Sequence, residues 1–419
     1  MNFKCQIAFA VILSAIFGSS AFGQASTPPR QERLLNGLNV LIWQNSGASS
    51  VDVRIRVHSG ASFDPQGKEG VMKLLAENIF PTEVTRDFFR DDLGGGVDVL
   101  TTYDYIQISA SAKPEHFLQM IETLAAAVAN PTIDKDTTAK LKAALTEKVI
   151  QLESQPDYQA ERAAAKQLLG TFPYGRPAFG TPSSIGKVDF ADLVFAKQRF
   201  FTADNATITV SGNFDRSAAL RAIRRFFGAW LKSDKRVPST FKQPDTPAVT
   251  FTTVPSPNPA ASVLRLATRS PARKDKNYVA SLVLASVLEK RLRSHLDGNS
   301  SDAFVRVEAH TLPGVIFFGL PSPSDPTKGT VAAGQIESAL NDSVTDAEFA
   351  SARAAIAGDW DKREIASFWL DADTYGLQSV DQDIRSADAV KLADVNAYRE
   401  ILKRSPIVAA LAAAKPNGN

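Results

Sequence analysis

Polar and apolar positions alternate strictly in "VDVRIRV". Val51, Val53, Ile55 and Val57 fall on one side of a strand there, and Asp52, Arg54 and Arg56 on the other. Comparable runs predict strands at "RLLNGLNVLIW", in the two parts of "GGGVDVLTTYDYIQISASA" and at "NATITVSGN". Helical spacing takes over between them. "GKEGVMKLLAENIF" predicts an amphipathic helix after a turn, and "TRDFFRDDL" a short one. "PEHFLQMIETLAAAVANP" is helical, a long helix is expected from Lys135 to Leu169, and "DRSAALRAIRRFFGAW" is a helix capped by Asp215.

Periodicity stops at residues 232–248, a polar, proline-bearing stretch that reads as a linker. Beyond it the order of elements repeats. Strands are expected at "VTFTTV" and "ASVLRLATRS", a helix at "NYVASLVLASVLEKRLRSHL", and two more strands at "DAFVRVEAH" and "GVIFFGL". Helices follow, one opening on a capping box at Thr345 and Glu348, and "PIVAALAA" closes the chain as a strand. The repeat predicts a duplicated α+β protein with mainly antiparallel sheets: one half at 24–231, the other at 249–419, with a crevice between them.

The 419-residue length agrees, being too long for one compact core. Composition changes the picture only at the start. Residues 1–23 have a basic opening, the apolar run "IAFAVILSAIF" and small residues before Gln24, the three parts of a secretory signal peptide. The only cysteine, Cys5, lies inside it, so the exported chain would carry no disulfide. A periplasmic or secreted location is expected, with no membrane span. The net charge of +2 and the absence of basic runs argue against nucleic acid.

Candidate chemistry is sparse. The chain has no Walker loop, dinucleotide fingerprint or Gly-x-Ser-x-Gly elbow. The four histidines, His58, His116, His295 and His310, are not spaced as helix-borne metal ligands. One oddity is the apolar helix near residue 70, where Lys73 and Glu77 stand four apart beside Leu74, Leu75, Ile79 and Phe80. Taken alone, such a pair is an ordinary solvated one.

Several stretches in order resemble the pitrilysin/insulinase family of inverted-motif zinc peptidases, which includes the mitochondrial processing peptidase subunits. They are "LLNGLNVLI", "HSGASFDPQGKEGV", "GGGVDVLTTYDY" and the long run from "FPYGRPAFG" to "VSGNFD". The resemblance covers Arg33 to Trp230 well and the second half mainly in element order. It implies two α/β-roll domains about a cavity that admits unfolded peptides.

It also implies a damaged site. The family's His-x-x-Glu-His places two zinc-binding histidines and the water-activating glutamate on the helix. Here Lys73 falls at the first histidine, Ala76 at the glutamate and Glu77 at the second histidine. Glu153 falls at the third ligand, a glutamate. In the other half, Asp297 and Phe304 fall where the family has a substrate-holding arginine and tyrosine. On the edge strand, Gly94, Gly95 and Thr101 match the family's Gly-Gly-x-x-Asn-Ala-x-Thr, while Asp98 and Val99 replace its asparagine and alanine, which leaves Gly96, Asp98, Val99 and Thr101 on a candidate peptide-binding strand. Catalytic residues and a metal are therefore expected to be absent. Lys73 is expected to stand in for the metal charge, within salt-bridge distance of Glu77, Glu153 or both.

Three functions follow from the resemblance. The first is a noncatalytic subunit that completes the peptide chamber of a zinc-bearing paralogue, the zinc residing in that partner. The second is a stand-alone peptide-binding or assembly protein. The third is a hydrolase with displaced ligands.

Overall fold

A computed structural model of the chain describes residues 28–233, 237–238, 240–247, 250–256, 258, 262–294, 303–322 and 331–413. The signal-peptide segment, Asp297 and part of the 232–248 linker lie outside them. Six strands, β1 (Arg30–Arg33), β2 (Asn39–Gln44), β3 (Val51–Val57), β4 (Gly96–Thr101), β5 (Ile106–Ala112) and β6 (Ala206–Gly212), form one sheet in the order β1-β2-β6-β3-β5-β4. Five more, β7 (Phe251–Pro255), β8 (Val263–Arg269), β9 (Phe304–Val307), β10 (Val315–Leu320) and β11 (Val408–Ala413), form a second in the order β7-β11-β8-β10-β9. Without β1 the two orders are the same. Each has one parallel pair, β2 with β6 and β7 with β11, among antiparallel neighbours. The fold is the expected duplicated α+β one.

Among the described residues the first half has the α-helices α1 (Val71–Glu77), α2 (Glu83–Asp87), α3 (Phe117–Ala129), α4 (Lys135–Glu153), α5 (Pro156–Leu169), α6 (Pro182–Gly186), α7 (Phe190–Phe200) and α8 (Arg216–Phe227). The second half has α9 (Tyr278–Ser294), α10 (Val331–Asn341), α11 (Asp346–Asp361), α12 (Ile365–Tyr375), α13 (Val380–Ile384), α14 (Ser386–Ala389) and α15 (Leu392–Lys403). Asp215 caps α8 by accepting from Ala218 N–H, and Thr345 and Glu348 close a capping box on α11. Among the described residues no helix is long and apolar enough to cross a membrane.

Two expected elements come out differently. "RLLNGLNVLIW" is not one strand but the second part of a hairpin, β1 turning back into β2 at Gly37. Gly37 has φ 87, and a Cβ there would lie 2.8 Å from the Asp204 side chain, so the turn needs glycine. The helix expected from Lys135 to Leu169 is two, because Pro156 has no N–H to continue α4 and instead begins α5 at its first turn.

The alternation in β3 sorts its two faces. Val51, Val53, Ile55 and Val57 are buried in the core that the first sheet makes with α1, α3, α7 and α8. Arg54 and Arg56 face the other half. Here the halves exchange helices. From the first half, α5 lies on the second sheet, packing Ala164, Leu168 and Leu169 against Ala267, Phe317 and Ala410. In return, α12 lies on the first sheet through polar contacts. Arg56 Nη1 donates to Asp371 at 2.8 Å, Asn39 Nδ2 and Thr207 Oγ1 each donate to Asp373 at 2.7 Å, and Arg54 pairs with Glu364. The crevice expected between the halves is, at this interface, filled by these two helices. The α5 crossing has an apolar centre, and the α12 crossing is made by charged and polar pairs.

Candidate functional site

The candidate site begins at α1. The helix starts on Gly70, whose φ of 108 turns the chain into it, with the Phe179 carbonyl 3.1 Å from where a Cβ would sit. Asp64 caps the start. Its carboxylate accepts from Gly70 N–H at 2.7 Å and Met72 N–H at 2.8 Å, satisfying donors that a helix leaves unpaired. Arg176 braces the loop by donating to the Asp64 and Ser62 carbonyls at 2.9 and 3.1 Å.

Lys73 is only 6% exposed, and Ala76 is fully buried in the core. The Lys73 ammonium lies 2.6 Å from Glu77 Oε1 and 5.5 Å from the centre of the Phe179 ring. Among the described residues this is its one ion pair. Glu153, at the last turn of α4, pairs elsewhere: its Oε1 is 3.3 Å from Arg162 Nη1 of α5, and its carbonyl accepts from Gln159 at 2.9 Å. Lys73 thus reaches Glu77 and not Glu153. Two cations, Lys73 and Arg162, each neutralise one carboxylate.

Zinc does not fit this donor set. An ammonium paired to Glu77 has no lone pair to give, Ala76 offers no base, and Glu153 is engaged by a guanidinium. No group of three or more His, Cys, Asp or Glu side chains converges among the described residues in a way that could hold a metal ion.

The other expected residues do not gather at one place. β4 is an edge of the first sheet, with Asp98 and Leu100 exposed and Val99 packed on the core. Thr101 is buried, and its hydroxyl has no hydrogen-bond partner among the described residues. Phe304 opens β9 at the crossing with α5. The Arg265 and Arg306 guanidinium groups stand 5.1 and 5.5 Å from its ring centre. Arg306 donates to Glu161 of α5 at 2.8 Å and Arg265 pairs with Asp157, so Phe304 sits within an inter-half contact. Sequence reasoning missed Arg162, whose partner lies across the α4–α5 break, and these inter-half pairs, for which the chain carries no local signal.

Residues 39–182 match the family described as Insulinase (Peptidase family M16), and residues 187–356 match Peptidase M16 inactive domain. The chain belongs to this peptidase family, the pitrilysin/insulinase family, as a degenerate member. A relative in Bacillus subtilis, the uncharacterized zinc protease YmxG, is 23% identical over 48% of this chain and 50% of its own length. The chain therefore spans about half of that relative. Among solved structures, a protease from Helicobacter pylori is similar with a TM-score of 0.81 at 16% identity, covering 92% of this chain and 100% of that one. A peptidase M16 inactive domain from Pseudomonas fluorescens is similar with a TM-score of 0.78 at 18% identity, covering 94% and 99%.

Proposed function

We propose that the chain is the noncatalytic subunit of a heteromeric zinc peptidase of the periplasm, completing the peptide chamber of a zinc-bearing paralogue. The observation that carries this reading is the Lys73–Glu77 ion pair, at 2.6 Å and largely buried, on the helix where the family holds its metal. A protein that keeps the whole duplicated fold while filling its metal position with an ammonium has kept the scaffold and given up the chemistry. The match to an inactive-domain description supports the same reading. Zinc would then belong to the partner, and this chain would need no cofactor.

The open edge of β4 supports a role for this chain in holding substrate. An unfolded peptide could extend the sheet by pairing with the backbone along the free edge of β4, Gly96–Thr101, while the exposed Asp98 and Leu100 lie beside its side chains. The same edge supports the second reading, a stand-alone peptide-binding or assembly protein. Co-expression with a paralogue that keeps His-x-x-Glu-His separates them. A 1:1 complex with more peptidase activity than the paralogue alone supports the subunit. Unchanged elution and unchanged rate, with peptide still bound by this chain, support the stand-alone binder.

A further inference from the structure

Two histidines are buried where the halves meet, and their partners differ. His58 has Thr374 Oγ1 3.0 Å from Nδ1 and Thr207 Oγ1 3.0 Å from Nε2. Both of these partners are hydroxyls, which give or take a hydrogen bond. His310 has Asp104 Oδ2 3.0 Å from Nδ1 and Glu308 Oε2 3.2 Å from Nε2. Ionised carboxylates only accept. A neutral imidazole has one N–H, and would turn a lone pair toward one of the two carboxylates; the imidazolium donates to both.

Both carboxylates are fixed as acceptors by their other contacts. Asp104 Oδ1 accepts the Tyr174 hydroxyl at 2.7 Å, and Glu308 Oε1 lies 3.6 Å from Arg306. The ring is held in place from every side. Tyr174 stacks on it at 4.2 Å between centroids, and Tyr103 meets it edge-on at 5.5 Å, its own hydroxyl donating to the Arg176 carbonyl. From the second half, Arg273 N–H donates to the His310 carbonyl at 2.8 Å, and the Tyr375 hydroxyl to the Ala309 carbonyl at 3.4 Å. Gly314 makes room: a Cβ there would lie 2.3 Å from His310 Cδ2.

The cluster's position gives it a role. Asp104 sits in the loop joining β4 to β5, and His310 and Glu308 sit in the loop joining β9 to β10. These loops are equivalent in the duplicated order, so the two hairpins touch each other through this ring. We propose that His310 is an imidazolium pin that couples the two halves, and that loss of its proton loosens the contact between the hairpins. With a neutral ring, Asp104 would stay buried without a cation and Glu308 would face a lone pair. Burial alone would push the His310 imidazolium down, but Asp104 and Glu308 outweigh it and push it up to about 9. A group raised in the folded state stabilises fully below its unfolded value, about 6.5, and that contribution is lost as pH rises through about 9.

Nitrogen-15 spectra of the purified protein, labelled at histidine, test the pin directly. At pH 7.5 His310 is expected to show two protonated ring nitrogens and to titrate near pH 9. Assignment uses His310→Gln, or, should that variant not fold, elimination with His58→Gln, His116→Gln and His295→Gln. A neutral His310 at pH 7.5 overturns the proposal. Urea unfolding at pH 6.5 and 9.5 gives the coupling. The wild type should lose on the order of a hundredfold more in its folding constant than His310→Gln between those values. Equal losses in the two proteins also overturn it.

Discussion

The Lys73 ammonium lies 2.6 Å from the Glu77 carboxylate, one turn along the same helix. Pairs at this spacing on exposed helices contribute a few tenths of a kcal/mol. This one differs because Lys73 is enclosed by the core. Replacing Lys73 with alanine should cost about 1–3 kcal/mol, since it removes a packed stem and leaves Glu77 partly buried without its cation. Lys362→Ala, at a well-exposed pair with Asp359, should stay within about 0.5 kcal/mol of wild type. Urea titrations of both variants check the contrast, and equal costs would count against the buried pair.

The engagement of Glu153 by Arg162 predicts that restoring the motif alone is not enough. A Lys73→His, Ala76→Glu, Glu77→His variant should bind zinc weakly, because the remaining carboxylate is held 3.3 Å from a guanidinium. Adding Arg162→Ala should tighten zinc binding at least tenfold in a calorimetric titration. Equal affinities would show that Arg162 does not restrain Glu153.

The charged crossing of α12 over the first sheet gives a stability prediction. Arg56 is buried and bonded to Asp371, which also accepts from Arg363 at 2.6 Å. Arg56→Met should cost about 3 kcal/mol, as removing one partner of a buried pair does. In the apolar centre of the other crossing, Ala410→Phe should cost about 1–3 kcal/mol by forcing α5 off the second sheet. Chemical denaturation measures both.

Acid should act on the clamp between α9 and α11. Arg291 bonds Glu348 at 2.7 and 2.8 Å, and with the Thr345 cap it holds the Glu348 carboxyl down to about 2. A depressed carboxyl stabilises above its unfolded value, about 4.5, and the contribution is lost as pH falls through about 2. Melting curves from pH 5 to 2 should fall more steeply for wild type than for Glu348→Gln. Parallel curves would remove the clamp from the account.

Much of this fold is legible in the chain because local chemistry dictates it. Strict alternation marks β3, Asp215 and Thr345 mark the starts of α8 and α11, and the order of elements announces the duplication. What the chain hides is set at long range. The β1–β2 turn depends on the fit of Gly37 against Asp204, far along the sequence. The exchange of α5 and α12 leaves no pattern, since Ala164 and Ala410 look like any small residues until they meet. The same holds at the candidate site. Lys73 and Glu77 share a face by spacing alone, whereas the capture of Glu153 by Arg162 needs the chain to break at Pro156 and fold back.

Peptide hydrolysis by the purified protein is the most direct test of the central claim, that this chain carries the peptidase scaffold without its chemistry. Unstructured fluorogenic peptides would be incubated with the protein, with added zinc and separately with a chelator. The account predicts no cleavage under either condition and no zinc retained after gel filtration. Cleavage that co-purifies with the protein, is abolished by the chelator and returns with zinc would contradict it.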